Sequence, residues 1–178
     1  FIEKLENSYS QQSRWENIDE PLKRRIFEPL PSGGLPGRTR AMLKVQDGCD
    51  NFCSYCIIPY ARGPVRSLPI ADAIVQAENL KREGYKEIVI TGIEIASYGK
   101  DLKDGSNLAK LVDAVAKAAA GVRIHLGSLE PRVVTPEFCE MLKKIPTLCD
   151  HFHLSLQSGC DETLARMRRK YDTALFYN

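Results

Sequence analysis

Gly48-Cys49-Asp50-Asn51-Phe52-Cys53-Ser54-Tyr55-Cys56 follows the apolar run Met42-Leu43-Lys44-Val45 and places three cysteines in a C-x3-C-x2-C array. A thiolate is a soft anionic ligand suited to iron–sulfur clusters or zinc. Spacings of three and two residues let one loop wrap a single metal centre. No cysteine or histidine lies near enough in sequence to be a fourth ligand, so one coordination position is left open for chemistry. A structural zinc site completed by a distant residue such as Cys160 uses the same three thiols. The residues alone leave both readings standing.

Outward from that loop, the pattern from Ala41 is a repeat of strand, loop and helix. Met42–Gln46 is expected as a first strand ending at the cysteines. Pro69–Glu83 is expected as a helix, with Ile70, Ala73, Ile74, Ala77 and Leu80 on one face, Pro69 in its first turn and Gly84 as its stop. Ile88–Thr91 reads as a strand of the buried parallel type. Asn107 caps a helix facing inward with Leu108, Leu111, Val112 and Val115 and closed by Gly121. Arg123–Gly127 is a third strand. Thr135-Pro136 opens a third helix with Phe138, Leu142 and Ile145 inward. His151–Leu156 is a fourth strand, and Asp161 starts a fourth helix through Leu164 and Met167. Four βα units in order predict an α/β fold with a parallel sheet, outer helices and right-handed crossovers. Polar residues at the strand ends (Asp47, Gly92 to Glu94, Ser128 to Glu130, Gln157 and Ser158) then gather at the carboxyl edge, where such folds bind ligands.

The chain has 178 residues, enough for one ordinary domain with a real core. A net charge of +2 neither demands nor excludes nucleic acid. No apolar run approaches the ~20 residues of a membrane span, and the start at Phe1 is too charged for a signal peptide. Six cysteines in a small secreted domain would suggest disulfides; the tight spacing in a domain of this size points instead to reduced thiols in the cytoplasm. Residues 1–37 read as a linker or the tail of a preceding domain, ending in Pro29-Leu30-Pro31-Ser32-Gly33-Gly34-Leu35-Pro36-Gly37, which neither helix nor central strand tolerates. Trp15 and Phe27 are candidates to pack on the domain that follows, residues 38–178. A start without Met and an end inside a helical pattern are what a fragment would give.

Cys139 and Cys149 read as ordinary small residues, and Cys160 as a bystander near the sheet edge. His151 and His153 share a strand face and form a possible ligand pair; with no third ligand evident, a packing role, or a place on the inner face of a closed sheet, is the preferred reading for them and for His125. Two basic clusters, Arg62-Gly63-Pro64-Val65-Arg66 and Arg166-Met167-Arg168-Arg169-Lys170, read either as solvated faces or, for the first, as a surface that steers a phosphate backbone. The second also suits the negative end of a helix dipole.

Cys49-x3-Cys53-x2-Cys56, with aromatic Tyr55 before the last cysteine, resembles the cluster loop of the radical S-adenosylmethionine enzymes. Within them, Arg38-Thr39-Arg40-Ala41, Gln46 to Cys53, Ile57-Ile58-Pro59-Tyr60-Ala61-Arg62-Gly63 and Leu156-Gln157-Ser158-Gly159 resemble the methylthiotransferases, over a span from about Arg38 to the end of the chain. Thr91 to Gly99 and Gly127 to Pro131 look most like the group acting on N6-threonylcarbamoyladenosine; the isopentenyladenosine and ribosomal-protein groups usually differ after the third strand. The resemblance implies a partial (β/α)6 barrel with about four of six units present and an open sheet edge.

It also implies that Cys49, Cys53 and Cys56 hold a [4Fe-4S] cluster whose fourth iron chelates S-adenosylmethionine. One electron then releases methionine and a 5′-deoxyadenosyl radical, which abstracts hydrogen so that a methylthio group can be inserted; the cofactors supply the radical chemistry. Glu94 stands where a Gly-Gly-Glu-type segment meets the methionine amino group, although Ile93 replaces the second glycine after Gly92. Tyr55 is placed near the adenine. Ser128, Glu130 and Gln157 are candidates for ribose hydroxyls or the substrate, because amides and hydroxyls satisfy polar ligands without titrating. The implied partners are the tRNA anticodon stem-loop and an electron donor such as a flavodoxin or ferredoxin. A second [4Fe-4S] cluster is expected in an amino-terminal domain. A different radical S-adenosylmethionine enzyme of small molecules and a zinc-binding interaction module are the competing readings.

Overall fold

The computed structural model describes residues 20–30, 33 and 37–178, so the expectation for Trp15 lies outside the described residues. The strands are β1 (Arg40–Asp47), β2 (Arg66–Ser67), β3 (Glu87–Gly92) and β4 (Arg123–Leu126), hydrogen-bonded in the order β2-β1-β3-β4. β1 pairs with β3 in parallel from Arg40↔Glu87 to Gln46↔Gly92, with one irregularity between Lys44 and Gln46. β3 pairs with β4 in parallel, and the short β2 runs antiparallel to the end of β1.

Alternation explains which face is covered. Ala41, Leu43 and Val45 of β1, Ile88 and Ile90 of β3, and Ile124 and Leu126 of β4 are buried. They meet Ala73, Ala77 and Leu80 of α2 (Ile70–Arg82) and Leu108, Leu111, Val112 and Val115 of α3 (Leu108–Ala118). Each such side chain contributes about 1.5–3 kcal/mol by leaving water. The alternate residues Met42, Lys44, Val89, Thr91 and His125 face the other side and keep some exposure. Helices on one face and a semi-polar opposite face are the plan of a partial α/β barrel, not of a sheet wound on both sides.

The helix signals hold. The Asn107 side chain accepts from the Lys110 amide at 3.0 Å, and Thr135 accepts from Phe138 to start α4 (Pro136–Leu142). Pro69 is the N-cap of α2, and Gly84 follows its end in the left-handed region. Three short helices complete the set: α1 (Ile58–Arg62), α5 (Asp161–Arg166) and α6 (Thr173–Tyr177).

The expected fourth strand, His151–Leu156, is not a continuous strand. The chain there runs parallel to β4 and the residues after it, and pairs at isolated bridges, Ile124↔Leu148 just before the expected strand and Leu129↔Leu154 within it. Cys149 donates to the Ile124 carbonyl at 2.8 Å, and Ser155 to the Leu129 carbonyl at 3.0 Å. Between these points the chain departs from the ladder, and Phe152 is 45% exposed while Leu154 and Leu156, which share its place in the alternation, are half-buried. Before the barrel, Phe27 is buried in the main core under the Lys44 ammonium, 5.2 Å from its ring centroid. The turn at Pro21–Lys23 packs on α1.

Candidate active site around the cysteine loop

β1 ends in three residues that fix the root of the loop. Gln46 is fully buried; its amide nitrogen donates to the carbonyls of Asp47 (2.9 Å) and Gly48 (2.7 Å), and its amide oxygen accepts from the Glu94 backbone (2.7 Å). One side chain thereby ties the end of β1 to the loop after β3. Gly92 permits this approach, because a Cβ there would stand 2.8 Å from the Gln46 carbonyl oxygen. Asp47, 1% exposed, accepts from Lys44 at 2.7 Å, from Arg62, and from the Gly48 amide at 2.8 Å, with Arg66 at 3.6 Å. Burial raises a carboxyl pKa, but these hydrogen bonds and charges outweigh it and hold Asp47 well below the usual carboxylate range. Gly48 has φ +71, and a Cβ would lie 1.9 Å from the Pro64 carbonyl oxygen; Cys49 then donates its amide to Gly63 at 3.0 Å. Only glycine fits where the two loops cross.

Of the first basic cluster, Arg66 is internal, and Arg62 is partly exposed with its guanidinium turned to Asp47. Arg66 is 2% exposed and donates to the carbonyls of Arg62 (2.8 Å) and Pro64 (2.9 Å), while Arg62 pairs with Asp47.

Beyond the root, the loop turns through Phe52 at φ +49, whose ring meets Tyr60 edge-on at 5.6 Å. All three cysteines are free thiols; Cys49 is buried, Cys53 and Cys56 half-buried. The Cys49 thiol is pushed up, first by burial and then by the nearby acidic groups of Glu94, Cys53 and Cys56. The three thiols share one electrostatic neighbourhood. As they stand, no three His, Cys, Asp or Glu side chains among the described residues converge to hold a metal ion.

Glu94 belongs to the same neighbourhood. One carboxylate oxygen accepts from Ser97, and the other is buried without a hydrogen-bond partner. Its pKa is raised by burial, with Glu130 adding to the effect. Buried polar atoms without partners are rare in folded proteins. Three thiols on one short loop, which become thiolates on binding a metal, beside an unpartnered carboxylate oxygen, suit an iron–sulfur cluster with an amine-bearing ligand next to it.

The remaining candidates are each held in a hydrogen-bonded pair. Glu130, 7% exposed, is held through both oxygens by Arg132 (2.7 and 3.0 Å), whose other nitrogen reaches Asn51 of the loop at 3.4 Å. The Tyr55 hydroxyl donates to Gln157 at 3.3 Å, and Ser128 pairs with His153 at 2.7 Å. His151 pairs with His125 at 3.0 Å, so His151 and His153 have separate partners. Cys160 is exposed and donates to Glu162.

Sequence reasoning missed two arginines. Arg132 links Glu130 to the loop, and Arg169, from the second basic cluster, donates to the Cys53 sulfur at 3.1 Å. Both contacts join distant parts of the chain, and no local pattern signals them.

Among known proteins, the chain is 45% identical over 160 residues to the threonylcarbamoyladenosine tRNA methylthiotransferase MtaB of Bacillus subtilis (strain 168), covering 89% of this chain and 35% of that protein. It is 36% identical over 170 residues to the tRNA-2-methylthio-N(6)-dimethylallyladenosine synthase of Fusobacterium nucleatum, covering 96% of this chain and 38% of that one. The chain thus spans somewhat over a third of the length of these relatives. Among solved structures, the radical S-adenosylmethionine methyltransferase TsrM from Kitasatospora setae superposes with a TM-score of 0.62 at 15% identity, over 76% of this chain and 26% of that one; this likeness shows the fold. Residues 43–177 match the radical SAM superfamily, the family to which the cysteine loop pointed, and the chain belongs to it.

Proposed function

We propose that this chain is the core of a tRNA-modifying methylthiotransferase that inserts a methylthio group into N6-threonylcarbamoyladenosine beside the anticodon. The observation that carries the reading is the pairing of three free thiols on the loop after β1 with the unpartnered buried oxygen of Glu94 after β3. Superfamily membership and the 45% identity to a threonylcarbamoyladenosine tRNA methylthiotransferase support it.

In this reading Cys49, Cys53 and Cys56 hold a [4Fe-4S] cluster. When bound, the cluster supplies the one-electron cleavage of S-adenosylmethionine. Glu94 would accept a hydrogen bond from the methionine amino group, and Gly92, by admitting Gln46, fixes the cofactor-binding loop that carries Glu94. Tyr55 lies against the adenine; Ser128, Glu130 and Gln157 meet ribose hydroxyls or the substrate. The Gln46–Asp47–Gly48 root keeps the loop from shifting when the cofactors load, which preserves the geometry that positioning requires. A second [4Fe-4S] cluster would be held by an amino-terminal domain, and a flavodoxin or ferredoxin would supply electrons. The site belongs in the reducing cytoplasm, where free thiols persist; no described helix is long and apolar enough to cross a membrane.

The test is electron paramagnetic resonance of the iron–sulfide-reconstituted chain, reduced with dithionite, with and without S-adenosylmethionine. A [4Fe-4S]+ signal that changes with the cofactor and is lost in Cys53→Ala is the expected result. A folded chain that binds stoichiometric zinc and builds no cluster would refute the proposal.

A further inference from the structure

The cysteine loop is clamped at its far end by a segment that follows α5. Ser54 donates its amide to the Met167 carbonyl at 3.1 Å and its hydroxyl to the Arg166 carbonyl at 2.8 Å. It thereby satisfies two carbonyls left open at the helix end. The helix closes by Arg168→Ala165 and Arg169→Leu164 backbone hydrogen bonds, both 2.9 Å, with Arg168 in the left-handed region at φ +57. That pattern is a Schellman motif built on a residue other than glycine. The reversal sends the Arg169 side chain back to the loop. Its Nη1 donates to Cys53 Sγ at 3.1 Å and its Nε to the Tyr171 hydroxyl at 3.2 Å, with the guanidinium 5.0 Å from the Tyr171 ring centroid. Tyr171 is itself buried, its hydroxyl 2.6 and 2.9 Å from the carbonyls of Ser155 and Leu156. The next carboxamide along, Gln157, accepts from Tyr55. Three successive loop residues, Cys53, Ser54 and Tyr55, are thus each held by residues 157–169.

We propose that Arg169 is a positioning residue for the cluster: anchored by Tyr171, it orients the Cys53 sulfur as a ligand and, by donating to it, raises the cluster's reduction potential. The inference rests on the proposed function in making Cys53 a cluster ligand and in assigning the potential; the hold of Arg169 on the loop does not depend on it. A planar guanidinium serves two acceptors at fixed angles at once, which a lysine ammonium on its flexible stem does not. Hydrogen bonds to cluster sulfurs and nearby charge are among the levers that set iron–sulfur potentials.

Two measurements on this chain decide it. In the cluster-free chain, Arg169→Met removes the donors while keeping an extended side chain. Amide hydrogen exchange at residues 52–56 is expected to rise at least tenfold, with α3 unchanged as the control for folding. Equal exchange at 52–56 in both proteins overturns the proposal, whether or not a cluster is ever built. In the reconstituted chain, redox titration followed by electron paramagnetic resonance is expected to show Arg169→Met harder to reduce by about tenfold in the one-electron equilibrium, ~59 mV. Iron content should be unchanged and Arg169→Lys intermediate. An unchanged potential overturns the claim that Arg169 acts on the sulfur. A folded wild-type chain without a cluster counts against the proposed function, and the exchange comparison then decides Arg169 by itself.

Discussion

The two sides of the sheet are built to different standards. Under the cysteine loop, β1 and β3 run in register from Arg40 to Lys44 and pair again at Gln46 after one irregularity, and their ends are joined by Gln46, Asp47 and Gly48, all buried. Every side-chain polar atom of Gln46 and Asp47 has a partner, and the backbones approach so closely that Gly48 and Gly92 admit no side chain. Beyond β4, the segment at 147–155 touches the sheet at two bridges, and its side chains His151, Phe152 and His153 are exposed. Rigidity is thus concentrated at the root of the loop that would carry the chemistry, and the outer edge is left with local, replaceable contacts. This is the distribution expected where a small displacement at the reacting centre is costly and one at the periphery is not.

The sharpest way to break that contrast is to remove one carboxylate on each side. Asp47→Ala leaves Lys44, Arg62 and buried Arg66 without their shared anion. Removing one partner from a buried ionic group costs about 3–5 kcal/mol, because the other charge stays behind uncompensated. Asp150→Ala, at the exposed outer edge, is expected within about 0.5 kcal/mol of the parent. Urea unfolding of both variants measures the pair. Equal losses would mean that the root of the loop is no more tightly determined than the edge.

A second comparison uses apolar truncation. Ile90 of β3 is fully buried between the sheet and its helices, and Ile90→Ala is expected to lose about 3 kcal/mol. Leu154 is half-buried beside a single bridge, and Leu154→Ala is expected to lose about 1 kcal/mol. A difference of less than about 1 kcal/mol by the same unfolding measurement would show that the outer segment is as well packed as the central strand, despite its missing ladder.

The same contrast accounts for what the sequence makes legible. β1, β3 and β4 carry alternating or continuous apolar runs, and α3 and α4 carry their caps in plain sight at Asn107 and Thr135. The cysteine spacing announces the loop. The segment at His151–Leu156 alternates as well as any strand, yet alternation reports only a capacity to pair; with Phe152 left outside, the ladder reduces to bridges. β2 is two residues long, too short for any periodicity. The arginines around the candidate site were illegible for another reason. Arg169 meets Cys53 across 116 positions and Arg132 meets Asn51 across 81, and a charged residue in a basic run looks the same whether it faces water or reaches inward.

The smallest expected effect lies at the amino-terminal end of the barrel face, where Glu87 joins β1, β3 and β4. Arg40 Nε is 2.9 Å and His125 Nδ1 3.1 Å from one of its oxygens, and Arg123 Nε is 3.9 Å from the other; His151 stands behind His125. Burial alone would push the Glu87 carboxyl up, but the His125 and Arg40 hydrogen bonds and charges prevail and hold it below its ordinary value. A carboxyl depressed in the folded state binds its proton more readily when unfolded. Its contribution is therefore fully present above the ordinary glutamate range and is lost as pH falls through the lower, folded value. Glu87→Gln is expected to be slightly less stable than the parent at pH 7 and to show a flatter decline in stability between pH ~5 and the acid limb, read by thermal unfolding at a series of pH values. Because the cluster is partly open to water, the difference at pH 7 should stay near the ~1 kcal/mol of an exposed pair. A larger loss would place the tight, charge-locked part of the sheet at its far end as well, and the contrast between root and edge would have to be redrawn.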